Sequence, residues 1–287
     1  MADLVLGTAA LGDRPDAGEG VATVLAAAEA GITRVDTSPW YGRGAAERRL
    51  GQALGQLPPG TLTISTKVGY VVSDDDWSRR EQDFSADATL RSLESSLSRL
   101  GVAEVDTVLI HDPEDHMREA LVGAYPALHR LRAEGVVRAI GVGMNQTAGP
   151  ARFVRETDLD VVLVAGRYTL LDRSAGDELL PLCLERGVEV LAGGVFNTGV
   201  LANPEPGATY DYAPAPAEIV ARAQALQFLC TAYGVPLAAA ALRFPARHPA
   251  VAAVLLGPAG RAQLAENLRD WDYPIPGELW AELDASR

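Results

Sequence analysis

Eight short runs rich in Val, Ile, Leu and Thr recur along the chain, and their repetition constrains the fold more than any single residue does. They begin at Leu4 (LVLG), Thr33 (TRVD), Leu62 (LTISTK), Val105 (VDTVLIH), Val137 (VRAIGVG), Val161 (VVLVAG), Val188 (VEVLAGG) and Val251 (VAAVLLG). The runs are continuously apolar rather than alternating, the pattern of strands covered on both faces, as in a parallel sheet wrapped by helices. Between them, apolar residues fall at three- and four-residue spacing, as at Leu90, Leu93, Leu97 and Leu100, the period of an amphipathic helix. Several helical stretches run into a glycine, as at Gly31, Gly101 and Gly135, where a left-handed cap would close the helix. Eight strand and helix alternations in 287 residues predict an α/β fold of the (β/α)8 TIM barrel type, a single domain over residues 1–287. A doubly wound open sheet is the main competitor.

Two connections are longer than a strand-to-helix loop needs, residues 69–85 and 195–216. Both follow strands, so both are predicted to project from the C-terminal face of the barrel and to shape a pocket there.

Charge excludes some partners. With 25 Lys and Arg against 38 Asp and Glu, the formal net charge of −13 repels phosphate backbones and anionic membranes, so neither nucleic acid nor membrane is an expected partner. Cys183 and Cys230 belong to no CxxC pair or Cys/His cluster, so both are read as buried thiols and no metal site is expected. The start, MADLVLGTAALG, lacks the basic and long apolar segments of a signal peptide or anchor, and a cytoplasmic protein is expected.

Four polar residues stand near the ends of successive apolar runs: Asp36, Tyr41 five residues on, Lys67 and His111. A carboxylate, a phenol, an ammonium and an imidazole delivered to one end of a barrel make a proton-relay site suited to carbonyl chemistry. Each alone has a plainer reading: a helix cap, a packing aromatic, a surface lysine, a loop histidine. Their joint occurrence is what carries the argument. His116, His129 and His248 match no such pattern and are expected to face solvent.

The motifs DTSPWYG, STK, LIHD and LLGPAGRAQLAENL, taken together, resemble the aldo-keto reductase superfamily over nearly the whole chain. PWYGRGAAERRLG, GVGMNQ and LAGGVFNTGVLA are most similar to its aldose and L-fucose dehydrogenase-like branch. The resemblance implies an NAD(P)-dependent oxidoreductase that reduces an aldehyde or ketone, or oxidises a sugar hemiacetal. Tyr41 then serves as general acid or base, Lys67 depresses its pKa, Asp36 holds Lys67 charged, and His111 donates to the substrate oxygen. A Schiff-base aldolase using Lys67 and a cofactor-sensing module without turnover are the alternatives.

For the cofactor, the resemblance assigns Leu256, Gly257, Gln263, Glu266 and Asn267 to the adenosine half, with Glu266 and Asn267 on the adenine. Thr8, Ala9, Asp36, Gly143, Asn145, Gly194, Val195, Phe196 and Asn197 are assigned to the remainder, and NADP is favoured over NAD. Where the family commonly carries Ser and Asn to hold the carboxamide, this chain has Gly143 and Met144, with Asn145 as the substitute. The customary Gln on the sixth strand is Ala165, and the aromatic that stacks on nicotinamide after the seventh is Gly193. Trp40, Tyr70, Trp77 and Asp112 are expected to ring the mouth of a pocket for a small-molecule carbonyl or sugar. The C-terminal segment is short after the last helix, which implies an open pocket.

Overall fold

In the computed structural model, which describes residues 2–13, 16–72 and 81–286, the eight apolar runs become eight parallel strands. They are β1 (Asp3–Gly7), β2 (Arg34–Asp36), β3 (Thr63–Val68), β4 (Thr107–His111), β5 (Ala139–Met144), β6 (Val161–Ala165), β7 (Glu189–Gly193) and β8 (Val251–Leu256). Each pairs with its neighbours in chain order, and β8 pairs back onto β1 through Asp3–Ala253 to Leu6–Leu256. The sheet is therefore a closed (β/α)8 barrel and not an open doubly wound one.

Side chains alternate across each strand. Outward residues such as Leu6, Val35, Val108, Val142, Val162 and Val254 join the core between barrel and helices. Inward residues Val5, Leu109, Val161, Leu163, Leu191 and Ala253 fill the barrel itself. This double burial is why the strands read as unbroken apolar runs.

The helical layer contains α1 (Ala17–Glu29), α2 (Ala45–Leu54), α3 (Ala86–Leu100), α4 (Tyr125–Ala133), α5 (Ala148–Glu156), α6 (Leu179–Arg186), α7 (Ala217–Ala232), α8 (Leu237–Arg243), α9 (Arg261–Trp271) and α10 (Gly277–Ala285). Helix α3 illustrates how local sequence sets the ends. Ser85 caps it by accepting from the Ala88 N–H at 3.2 Å, and Gly101 ends it at φ +66, a backbone state that disfavours any β-carbon. Its Leu93 and Leu100 are buried, while Leu90 and Leu97 are half-buried at the margin.

The two long connections each carry a short antiparallel ribbon, Tyr70–Val71 with Glu81–Gln82 and Thr209–Tyr210 with Ala213–Pro214. Trp77, expected at the pocket mouth, lies outside the described residues. Both cysteines are free and buried, and burial pushes the Cys183 thiol up to about 12 and Cys230 to about 11. Only His129 of the three remaining histidines is exposed; His116 and His248 are half-buried, against Phe84 and Tyr168. Their expected exposure is corrected because ring packing covers them. Among the described residues no single helix is long and apolar enough to cross a membrane, and no group of side chains could hold a metal ion.

Candidate active site

Strand alternation decides which polar residues enter the barrel. With Val35, Val108 and Ile110 pointing outward, Asp36 and His111 point inward near the C-terminal ends of β2 and β4. On β3 the same alternation turns Ser65 and Lys67 inward, while Thr66 faces outward and donates to Glu47 of α2 at 2.7 Å. Tyr41 arrives differently, from the turn after β2, where its N–H donates to the Ser38 carbonyl at 3.1 Å. Gly42 follows at φ +53 with its backbone against Gly12; an added β-carbon would lie 2.2 Å from the Gly12 oxygen. That close approach fixes the turn and so the tyrosine.

The four residues meet at Lys67. Its ammonium, 1 % exposed, donates to Asp36 Oδ1 at 2.5 Å, the Thr37 carbonyl at 2.9 Å and the Tyr41 hydroxyl oxygen at 3.1 Å. The other Asp36 oxygen accepts from Ser65 Oγ at 2.7 Å. Burial alone would lower the Lys67 pKa, but the Asp36 carboxylate and Tyr41 outweigh it and hold the pKa above the ordinary value. An ammonium has only protons to give, so the Tyr41 oxygen is the acceptor and the phenol's own proton is left for the cavity.

For Tyr41 the expected depression of pKa is corrected. Burial raises it most, Lys67 pulls it down, Asp36 pushes it up, and the balance lies above the ordinary tyrosine value. Tyr41 is therefore protonated near neutral pH, ready to act as an acid.

His111 is oriented from behind. Its Nδ1 lies 3.2 Å from Ser38 Oγ, which itself accepts from the Trp40 N–H at 3.1 Å. With Ser38 Oγ donating its proton to Nδ1, the imidazole carries its own proton on Nε2. Nε2 lies 3.7 Å from Asp112 Oδ2, and the Tyr70 hydroxyl donates to the same oxygen at 3.4 Å. Tyr70 stacks beneath Trp40 with ring centroids 4.7 Å apart and is itself 2 % exposed. It braces Trp40 and Asp112 and does not ring the mouth directly.

Around these groups opens a cavity of about 820 Å³. Tyr41, Lys67 and His111 line it, with Gly143, Leu163 and Ala165. Trp40, Asp112 and Asn145 line it as well, as do Ala9, Arg43 and Tyr212. A cavity of about 860 Å³ at the other end of the barrel holds Arg34, Asp106, Arg132 and Asp160 but none of the four relay residues. Barrel chemistry is built at the C-terminal face, so the first cavity is the candidate.

Of the cofactor candidates, Ala9, Gly143 and Asn145 share the cavity with Asp36's partners. Thr8 is buried below it, donating its hydroxyl to the Asp36 carbonyl at 3.1 Å. Val195, Asn197 and Leu256 are buried at 2 %, 1 % and 0 %, and Phe196 packs against the core. The Asn197 amide is engaged, accepting from Thr169 Oγ1 at 2.6 Å and donating to the Gly166 carbonyl at 3.1 Å. Gly194 takes φ +61 at the end of β7. Gly257 is exposed on the β8–α9 connection, and Gln263 and Glu266 are exposed on α9, with Asn267 buried beside them. There Arg261 donates three hydrogen bonds to Glu19 of α1, from its backbone at 2.8 Å and its guanidinium at 3.1 and 2.9 Å. Gln263 Oε1 accepts from the Ala259 N–H at 2.6 Å.

Sequence reasoning missed Ser38, Ser65, Arg43, Arg167 and Tyr212. Tyr212 had a signal, because it lies in a long connection expected to shape the pocket. Arg167 had none, since it acts between loops far apart in sequence.

A model of the Aldo/keto reductase family matches residues 3–287. A D-threo-aldose 1-dehydrogenase of a Pseudomonas species is 40 % identical, covering 94 % of this chain and 88 % of that protein. A pyridoxal 4-dehydrogenase of Microbacterium luteolum is 38 % identical over 98 % of this chain and 92 % of its own length. Among solved structures, an aldo-keto reductase from Bacillus halodurans superimposes with a TM-score of 0.84 at 22 % identity, covering 99 % of this chain and 91 % of the other.

Proposed function

The chain belongs to the aldo/keto reductase family, and from that membership we propose which residues carry its reaction and on what substrate. It is an enzyme, a nicotinamide-dependent oxidoreductase acting on a carbonyl or its alcohol. The bound nicotinamide supplies or accepts the hydride. In our reading one barrel domain over residues 1–287 does the rest.

Tyr41 gives its proton to the oxygen of the carbonyl being reduced, and takes one from the alcohol in reverse. Lys67, already bonded to that phenol oxygen, stabilises the phenolate left behind, and Asp36 with Ser65 keeps Lys67 charged and aimed. His111 donates from Nε2 to the same substrate oxygen and fixes its angle. The observation that carries this reading is the saturation of Lys67: its three protons are committed to Asp36, Thr37 and Tyr41. It also argues against a Schiff base, which needs a free, neutral amine, whereas Lys67 is held charged.

The residues fit a nicotinamide. Gly143 and Ala165 line the cavity with no long side chain, and a β-carbon added at nearby Gly193 would touch nothing nearer than 3.5 Å. Asn145 lines the cavity and brings a side-chain amide suited to a carboxamide, and its carbonyl is fixed by Arg167 Nε at 2.8 Å. Resemblance favoured NADP over NAD. Arg261 is the only cation in LLGPAGRAQLAENL, however, and Glu19 both occupies it and brings a carboxylate that repels an added phosphate. We therefore assign NAD as the cofactor.

For the substrate we assign an aldose oxidised at its hemiacetal carbon. Support comes from the 40 % identical aldose dehydrogenase, from the Trp40 ring as a stacking wall, and from Asp112 as an acceptor for sugar hydroxyls. The acidic surface suits a small-molecule partner rather than nucleic acid or membrane, and two free thiols suit the reducing cytoplasm. The test is cofactor reduction over a panel of aldoses and pyridoxal, with NAD and NADP in parallel. NAD-dependent oxidation of aldoses is expected; oxidation of pyridoxal alone, or strict NADP dependence, would overturn the corresponding assignment.

A further inference from the structure

The connection from Val195 to Pro216 doubles back as a ribbon in which Tyr210 pairs with Ala213. Its turn therefore consists of only Asp211 and Tyr212, both in the left-handed region at φ +49 and +63. Two-residue turns of this hand favour Asn-Gly or Asp-Gly. The first position conforms and the second does not, because a tyrosine stands where glycine is preferred and a β-carbon is disfavoured.

Packing does not explain that tyrosine. Tyr212 is 77 % exposed, and what it borders is the cavity that holds Tyr41, Lys67 and His111. A phenol hydroxyl keeps its proton at neutral pH and so remains a donor there.

The turn is also held in place. Arg167, just after β6, donates to Asp211 Oδ1 at 3.1 Å, and its other terminal nitrogen lies 2.9 Å from Asp211 Oδ2. The same guanidinium donates to Asp172 at 3.3 Å and to the Asn145 carbonyl at 2.8 Å. Tyr212 N–H donates to Thr198 Oγ1 at 3.3 Å. One side chain thus ties the Tyr212 turn to the cavity rim at Asn145.

We propose that Tyr212 is a substrate-contact residue that covers the cavity mouth and sets affinity for a ring-shaped substrate, with Arg167 as its positioning residue. The tyrosine ring stacks on the face of the sugar left uncovered by Trp40, and its hydroxyl donates to a sugar oxygen. This rests on the aldose reading of the same cavity.

The test compares Tyr212→Gly, Tyr212→Phe and Arg167→Met with the wild type, using steady-state kinetics on the best aldose, NAD affinity by quenching of protein fluorescence, and thermal melting. Tyr212→Gly is expected to raise KM about tenfold or more, the equivalent of about 1.4 kcal/mol, with NAD affinity unchanged and the melting temperature equal or higher. Tyr212→Phe is expected to retain part of that affinity through its ring, and Arg167→Met to raise KM in the same direction. An unchanged KM in Tyr212→Gly overturns the proposal while leaving the aldose reading standing. A loss confined to NAD affinity overturns the substrate assignment of Tyr212. Failure of the wild type to oxidise any aldose overturns both.

Discussion

Lys67 carries three protons and meets three acceptors in a place almost closed to water. Replacing it by Met leaves Asp36 charged, buried and unpaired, which is expected to cost about 3–5 kcal/mol of stability, measurable by denaturant unfolding. Asp36→Asn in the same assay is expected to cost a comparable amount, because it leaves the buried Lys67 ammonium without its carboxylate and a single amide oxygen for both Lys67 and Ser65. The two thiols give a second check at this scale. With pKa values pushed up to about 12 and 11, Cys183 and Cys230 are expected to resist a thiol reagent in the native protein and to react at once when it is unfolded. Asp36, Lys67 and His111 were legible in the sequence because each is a polar residue near the end of an apolar run. The sign of the Tyr41 shift was not, since it depends on burial by chain segments that no local pattern specifies.

At the scale of elements, the eight strands were legible because each is buried on both faces, and the helix ends because Gly31, Gly101 and Gly135 take positive φ. The roles of the connections were less so. Tyr70 read as a pocket aromatic, yet its ribbon with Glu81–Gln82 holds it under Trp40. Arg167 and Asp211 are joined across 44 residues with no periodic signal between them. The turn after β2 yields a direct prediction. Gly42→Ala sets a β-carbon 2.2 Å from the Gly12 oxygen at φ +53, so the turn must move and carry Tyr41 with it. Turnover is expected to fall about a hundredfold, since displacement of a catalytic group by an ångström costs on that order, while circular dichroism keeps the barrel signature.

Across the whole molecule, barrel closure followed from the count of eight runs, but the pairing of Glu19 with Arg261 spans 242 residues and only the folded chain reveals it. It leads to an expectation about cofactor choice: Glu19→Gln removes the competing carboxylate, and NADP affinity by fluorescence titration is expected to rise relative to NAD. Stability has a pH limit set by several groups of one sign. Folded Lys67, Tyr41, Cys183 and Cys230 all hold protons more tightly than their ordinary values, so unfolding releases protons at high pH. The stability these four groups contribute is full below about pH 9, the lowest of their unfolded values, and is lost as pH rises through the folded ones, which melting curves across that range would register.

The account centres on proton transfer by Tyr41. The most direct measurement is the rate of nicotinamide absorbance change with an aldose for the wild type and Tyr41→Phe, alongside a cofactor titration of both. The account predicts turnover lower by about 10²–10⁴ in the variant with cofactor affinity unchanged. Turnover within a few-fold of the wild type would contradict it.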